Sequence, residues 1–126
     1  MKKIIQSNNA PAPIGPYSQA VEAGNTIFLS GQIAIHPETN EYVPADASTE
    51  TEQVMRNIKA VLEAAAVDFS HVVKTSIFLK DMNDFAAVNE VYARYFTADF
   101  PARETVQVSV LPKNARVEIS MIAVRP

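Results

Sequence analysis

The chain has no cysteine and only three glycines in its 126 residues. Without cysteine there is no thiol nucleophile, no disulfide, no iron–sulfur ligation and no thiolate zinc site, a usage that favours an intracellular origin. Gly15, Gly24 and Gly31 are too scattered for a phosphate cradle, and neither the dinucleotide fingerprint, the Walker pattern nor the nucleophile elbow occurs. Nucleotide binding and triad hydrolysis are therefore not expected. The start, "MKKIIQSNNAP", lacks the apolar run of roughly 7 to 15 residues that a secretory signal requires, and no stretch approaches the about 20 residues of a membrane span. A soluble cytoplasmic protein is the expectation. Charge of one sign is also missing: the net charge is −3 with acids and bases interspersed, so no strip of Lys and Arg exists to draw a phosphate backbone, and nucleic acid is not expected as a partner. His36 and His71 have no acidic or histidine partner at helix-face spacing, read as solvated loop residues, and give no reason to expect a metal.

What is present is 48% apolar sequence, enough for one domain over residues 1–126 that buries roughly two thirds of its unfolded surface. Pro11, Pro13 and Pro16 with Gly15 make residues 8–16 an irregular arm, from which Tyr17 emerges. "YSQAVEA" and "TIFLSGQI" read as strands joined in a hairpin at Gly24-Asn25, and "HPETNEYVPAD" reads as a polar loop. Thr49 and Glu52 form a capping-box pattern, and Val54, Ile58, Val61, Leu62 and Ala65 recur at helical spacing, predicting a helix over 50–66. "HVVKTSIFLK" predicts a buried strand. A second helix follows, capped by Asn83 or Asp84 and reaching about Phe96, with Phe85, Val88, Tyr92 and Phe96 inward. Two last strands, read as a hairpin, flank Leu111-Pro112-Lys113-Asn114. The order β-β-α-β-α-β-β predicts one sheet with both helices on one face. The opposite face is then uncovered in a monomer, and apolar residues at both parities of "VVKTSIFL" point to another subunit there.

The candidates for chemistry are few. In "FPARETVQVSV" the residues Val106, Val108 and Val110 face one way, which puts Arg103, Thr105, Gln107 and Ser109 on the other. Arg103 is then either a solvated strand end or a planar fork for a carboxylate. Glu118 lies between Val117 and Ile119, where an acid must be exposed at an edge, paired with a cation or held in a site. On the adjacent strand of the expected hairpin, it would share Arg103's pocket. Asn89 places an amide in an apolar helical stripe and either ties down a loop or faces a ligand. Ser30 reads as a strand-end serine before a glycine turn or as a polar group beside the Gly31 amide, and Tyr17 as packing or functional.

Four blocks in order, "APAPIGPYSQAV", "FLSGQI", "VVKTSIFLKDMNDFAAVNEVYARYF" and "FPARETVQVSVLPKNARVEISMIAV", resemble those of the reactive intermediate deaminase family, RidA or YjgF-like, nearly end to end. The resemblance implies a chorismate-mutase-like α+β fold, with one mixed sheet and two helices on one face, assembled as a homotrimer with three inter-subunit clefts. It implies hydrolysis, without a cofactor, of reactive 2-imino acids in equilibrium with 2-aminoacrylate and 2-aminocrotonate to 2-oxo acids and ammonia. Those enamines are products of pyridoxal-phosphate-dependent serine and threonine dehydratases. Carried over, Arg103 matches the carboxylate-binding arginine and Glu118 the acid associated with the attacking water, while Tyr17, Ser30, Gly31 and Asn89 match pocket-lining positions. Thr105 stands where many relatives have cysteine and is expected to help Glu118 with the water; Ser120 stands where many have a second glutamate. A non-catalytic trimer that binds 2-oxo acids, regulatory or chaperone-like, is the competing reading, and retained Arg103 and Glu118 fit both. A ribonuclease or translation-inhibitor reading attached to the family is opposed by the charge pattern.

Overall fold

The computed structural model describes all of residues 1–126. Its main sheet has six strands in the order β1 (Lys2–Ile5), β2 (Ala20–Ala23), β3 (Thr26–Gln32), β8 (Val117–Val124), β6 (Val72–Leu79) and β7 (Ala102–Gln107). All neighbours are antiparallel except β6 and β7, which run parallel. A parallel pair needs a crossover, and α2 (Phe85–Ala93) supplies it. The longer helix, α1 (Ala47–Ala64), lies beside it. A two-stranded ladder of β4 (Ile35–His36) and β5 (Glu41–Tyr42) interrupts the segment expected as a plain polar loop. No helix is long and apolar enough to cross a membrane.

Side-chain parity decides where the core sits. In β8, Val117, Ile119, Met121 and Ala123 are buried, as are Thr75, Ile77 and Leu79 in β6. They meet Val54, Ile58, Val61, Leu62 and Ala65 of the first helical segment, as its periodicity predicts, and Val88 and Tyr92 of α2. Each fully buried Ile or Leu contributes about 1.5–3 kcal/mol of transfer free energy. Both helices therefore cover one face, and the opposite parity, including exposed Phe28 and Val106, is left open.

Several boundaries differ from expectation. Helix α1 starts three residues early because Asp46, not Thr49, is the N-cap, its Oδ1 accepting from Thr49 N at 2.8 Å. Glu52 closes no capping box; it accepts the Tyr95 hydroxyl. Asp81 caps a single 3-10 turn, Met82–Asp84, ahead of α2, while Asp84 faces Arg116 at 3.5 Å and α2 stops at Ala93. Phe85 lies at the rim of the helix layer, exposed rather than inward. His71 is no free loop residue, since its Nδ1 accepts from Asp68 N at 3.1 Å and closes a 3-10 turn. The Gly24-Asn25 hairpin forms as expected, Ala23 opposite Thr26 with Gly24 at φ +61°.

The largest departure is at the C-terminal end: β7 and β8 form no hairpin. β6 lies between them, paired to β7 on one side and to β8 on the other. The parity of β7 is as expected for Arg103, Thr105 and Val106, although the strand ends at Gln107, before Val108, Ser109 and Val110, and its polar side is the helix side. Arg103 pairs in register with buried Thr75, and Thr105 with buried Ile77. Glu118, between core residues Val117 and Ile119, points to the open face. Within one chain Arg103 and Glu118 are thus two strands apart and on opposite sides of the sheet.

Candidate active site

The candidate residues form two groups. The first surrounds Arg103 at the start of β7. Its Nη1 donates to Asn89 Oδ1 at 2.7 Å, and its guanidinium carbon lies 5.1 Å from the Tyr92 ring centroid and 5.7 Å from that of Phe85. Helix α2 presents all three partners because 85, 89 and 92 fall on one stripe. Asn89 therefore ties down no loop; it holds the guanidinium by one nitrogen, and the other N–H groups have no partner in the chain. Burial pushes the Tyr92 phenol up, opposed by its bond to Thr75 and by the Arg103 charge, so the ring stays a neutral stacking surface. Thr105 stands two residues along the same side, its hydroxyl buried without a hydrogen-bond partner. It is remote from Glu118 in its own chain, which corrects the expectation that the two flank one water there.

The second group lines a cleft of about 490 Å³ that contains Tyr17, Ser30, Gly31 and Glu118. It depends on a β-bulge. Between Leu29↔Met121 and Gln32↔Ile119 the register of β3 against β8 slips, leaving Ser30 and Gly31 opposite the single residue Ser120. Ser30 is consequently no strand end. Its hydroxyl donates to Ser18 O at 2.6 Å and its N–H to Gln19 O at 2.9 Å. At Gly31 a Cβ would lie 2.4 Å from Glu118 Oε2, so only glycine leaves the carboxyl room to lie against the bulge. Half-buried Glu118 accepts no hydrogen bond within the chain and has no ion pair, and desolvation alone pushes its pKa up. Tyr17 is exposed at 52%, which makes it a wall rather than a packing residue, its hydroxyl accepting from Ile14 N at 3.4 Å.

Of three further buried polar residues, Gln19 and Asn57 brace the walls of this cleft and Glu50 holds the segment that leads to Glu118. Gln19 is 3% exposed; its Oε1 accepts from Ser7 N at 2.6 Å, and its Nε2 donates to Pro11 O at 2.8 Å and Ser7 O at 3.1 Å. Asn57 Nδ2 donates to Ile35 O at 2.9 Å and Ile33 O at 3.3 Å, fixing the strand end that lines the cleft. Glu50 accepts from Tyr42 at 2.6 Å, Ala45 N at 3.2 Å and Arg116 N at 3.0 Å, just before Glu118 in the chain. Asn57 lies three residues after Val54 and four before Val61, the signal already used for Asn89. On the rim, Lys113 and Asn114 are consecutive left-handed non-glycine residues, φ 60° and 57°, in the Pro112–Asn114 turn. Such backbone is held by its surroundings, here where Pro112 and Lys113 line the cleft that contains Glu118.

Comparison with known proteins places this arrangement. The family model described as endoribonuclease L-PSP matches residues 7–125. A RutC family protein of Pyrococcus horikoshii is 55% identical over 123 residues, covering 98% of each chain. A protein of Escherichia coli named 2-iminobutanoate/2-iminopropanoate deaminase is 51% identical over 128 residues, covering 99% of both. Among solved structures, Escherichia coli TdcF with bound serine superposes with a TM-score of 0.93 at 43% identity, covering 98% of this chain and 99% of that one.

Proposed function

Since the chain belongs to the endoribonuclease L-PSP family, which is the YjgF/RidA family, we propose that it hydrolyses small 2-imino acids, 2-iminopropanoate and 2-iminobutanoate, to 2-oxo acids and ammonia. The observation that carries this reading is Arg103, a guanidinium held by one amide and two aromatic rings with its remaining donors free. That is an anchor for a small carboxylate, oriented as well as bound. The second requirement, a proton-transfer group, is met by Glu118 in the cleft behind Gly31.

The two requirements fall on different faces of one chain, so the complete site uses two chains: the Arg103 group of one subunit against the Glu118 cleft of the next. Two different patches meeting head to tail make a heterologous interface, which generates a ring where the rotation closes. The proposed ring is the homotrimer implied by the resemblance, its contacts burying the open sheet face with exposed Phe28 and Val106. Within each cleft Arg103 fixes the carboxylate, C2 of the imine is presented to one water, and Glu118 takes and returns protons as the carbinolamine forms and collapses. Thr105, on the Arg103 side, lends its unpartnered hydroxyl to substrate or water across the interface. Tyr17, Ser30, Gly31 and Asn89 line or support the cleft.

The TdcF structure with bound serine also favours a second reading, in which the same cleft binds small amino or oxo acids without turning them over. One experiment separates the two. Protein added to a threonine dehydratase reaction should accelerate release of ammonia and 2-oxobutanoate beyond the spontaneous decay of the enamine. If decay stays at the spontaneous rate while calorimetry detects 2-oxobutanoate binding, the deaminase reading is wrong and the binding one stands.

A further inference from the structure

The Glu118 carboxyl has surroundings that suit a proton donor better than a base. It rests on the Gly31 bulge, half-buried, and no donor or cation of its own chain supports its ionised form. Neighbouring polar groups are occupied elsewhere: Ser30 donates to Ser18 O at 2.6 Å, and the Gln19 amide serves the carbonyls of the arm. The titratable groups sharing the cleft are Tyr17 and Lys113, and neither bonds to the carboxyl. Arg103 of the neighbouring subunit, in the proposed ring, is neutralised by the substrate's own carboxylate. A carboxyl with no donor or cation to hold its ionised form takes up a proton more readily than a solvated one, and the same carboxyl can give that proton back. Lying against the Gly31 bulge with no bond of its own chain, the Glu118 carboxyl is free to carry a proton to a bound substrate.

A neutral acid has a use here, because dehydratases release not the imine but its enamine tautomer, in which C2 is no electrophile until C3 has gained a proton. Building on the deaminase reading above, we propose that the protein is also an enamine tautomerase: Glu118 protonates C3 of the bound enamine, so that the imine is made inside the cleft and never has to form in solution. The Glu118 O–H bond breaks, the C2=C3 electron pair forms the new C3–H bond, and the nitrogen lone pair closes C2=N as an iminium. Glu118 is now the carboxylate that hydrolysis needs. It takes a proton from the attacking water as the C2–O bond forms, gives that proton to the nitrogen of the carbinolamine, and recovers one from the hydroxyl as the C–N bond breaks. Enamine plus water becomes 2-oxo acid plus ammonia, and Glu118 ends as the acid it began as. A single carboxyl serves every transfer because each step leaves it in the form that the next requires.

The stereochemistry at C3 tests this. Threonine dehydratase is run in D2O with the protein in excess, so that 2-aminocrotonate gains deuterium at C3, and the 2-oxobutanoate is trapped at once as 2-hydroxybutanoate by an NADH-linked dehydrogenase. The proportion of the two C3 configurations is read by NMR against dehydratase alone. The expected result is a shift to predominantly one configuration, returned to the dehydratase-alone proportion in Glu118→Gln. Faster ammonia release with an unshifted proportion would mean that only the spontaneously formed imine is hydrolysed; the tautomerase proposal falls and the deaminase reading survives. No acceleration of ammonia release sinks both. A proportion that still shifts in Glu118→Gln makes another group the donor and also overturns the assignment.

Discussion

Arg103 and Thr105 sit on the same side of β7, two residues apart, yet their side chains are in opposite condition. The guanidinium is bound and stacked, whereas the threonine hydroxyl is buried without a partner. Replacing Arg103 by Lys keeps a charge but loses the planar fork, the stacking and the Asn89 bond. A hydrogen bond to a charged group contributes about 1.5–3 kcal/mol, so Arg103→Lys should lower kcat/KM about 10- to 100-fold, measured as ammonia release, with the melting temperature nearly unchanged. Thr105→Val should separate stability from activity. An unpaired buried hydroxyl is a desolvation cost, so removing it at constant shape should leave the melting temperature equal or higher. If the hydroxyl meets substrate or water across the interface, turnover should meanwhile fall about 2- to 12-fold, the worth of one hydrogen bond. A fully active Thr105→Val would show that the hydroxyl has no part in the site.

The cleft is assembled by elements rather than by its own side chains, and the arm is the clearest case. Residues 8–16 carry three prolines and no regular hydrogen bonding; the Gln19 side chain at the base of β2 fixes their first part, and Asn40 Oδ1 accepts from Ala12 N at 3.0 Å. Gln19→Ala leaves Ser7 N–H and three carbonyls, those of Ser7, Ala10 and Pro11, without that partner, which should cost about 1–3 kcal/mol in urea denaturation. Amide exchange should quicken in residues 7–12 while the β6 and β8 amides stay protected. Uniform loss of protection would show instead that Gln19 supports the whole sheet. Local pattern was a good guide at this scale wherever the determining contacts are local. The Gly24-Asn25 turn, the α1 stripe and the alternation of β7 all follow from neighbours within a few residues. Strand partnership does not. That β6 rather than β8 lies beside β7 is set by the crossover through α2, which no period-two pattern encodes, and so Glu118 was expected on the wrong side of Arg103. The four-residue β1 escaped notice for a related reason: with Lys2 and Lys3 exposed, it is a strand only because β2 offers an edge. Asn57 and Gln19 were visible as polar residues in apolar surroundings, but their partners lie 22 to 24 and 8 to 12 residues away.

At the scale of the whole molecule, one layer of two helices covers one face of six strands, and the two halves of the proposed site lie on opposite sides of that sheet. A monomer therefore holds an anchor without an acid and an acid without an anchor. This has a consequence that no single-chain site shares. Arg103→Ala removes only the anchor half and Glu118→Gln only the acid half, so each variant alone should be inactive while still assembling. Mixed by co-expression in equal amounts, the two chains should regain activity, because an interface formed by Arg103 of a Glu118→Gln chain and Glu118 of an Arg103→Ala chain has both groups intact. Each interface draws its two sides independently, so about a quarter of the sites should be complete in a closed ring of two-sided interfaces. Ammonia release should accordingly recover to about a quarter of the wild-type rate, with light scattering reporting one trimeric species throughout. A mixture as inactive as its components would place both groups of each working site on one chain, which the sheet geometry forbids without refolding, and would remove the shared cleft altogether.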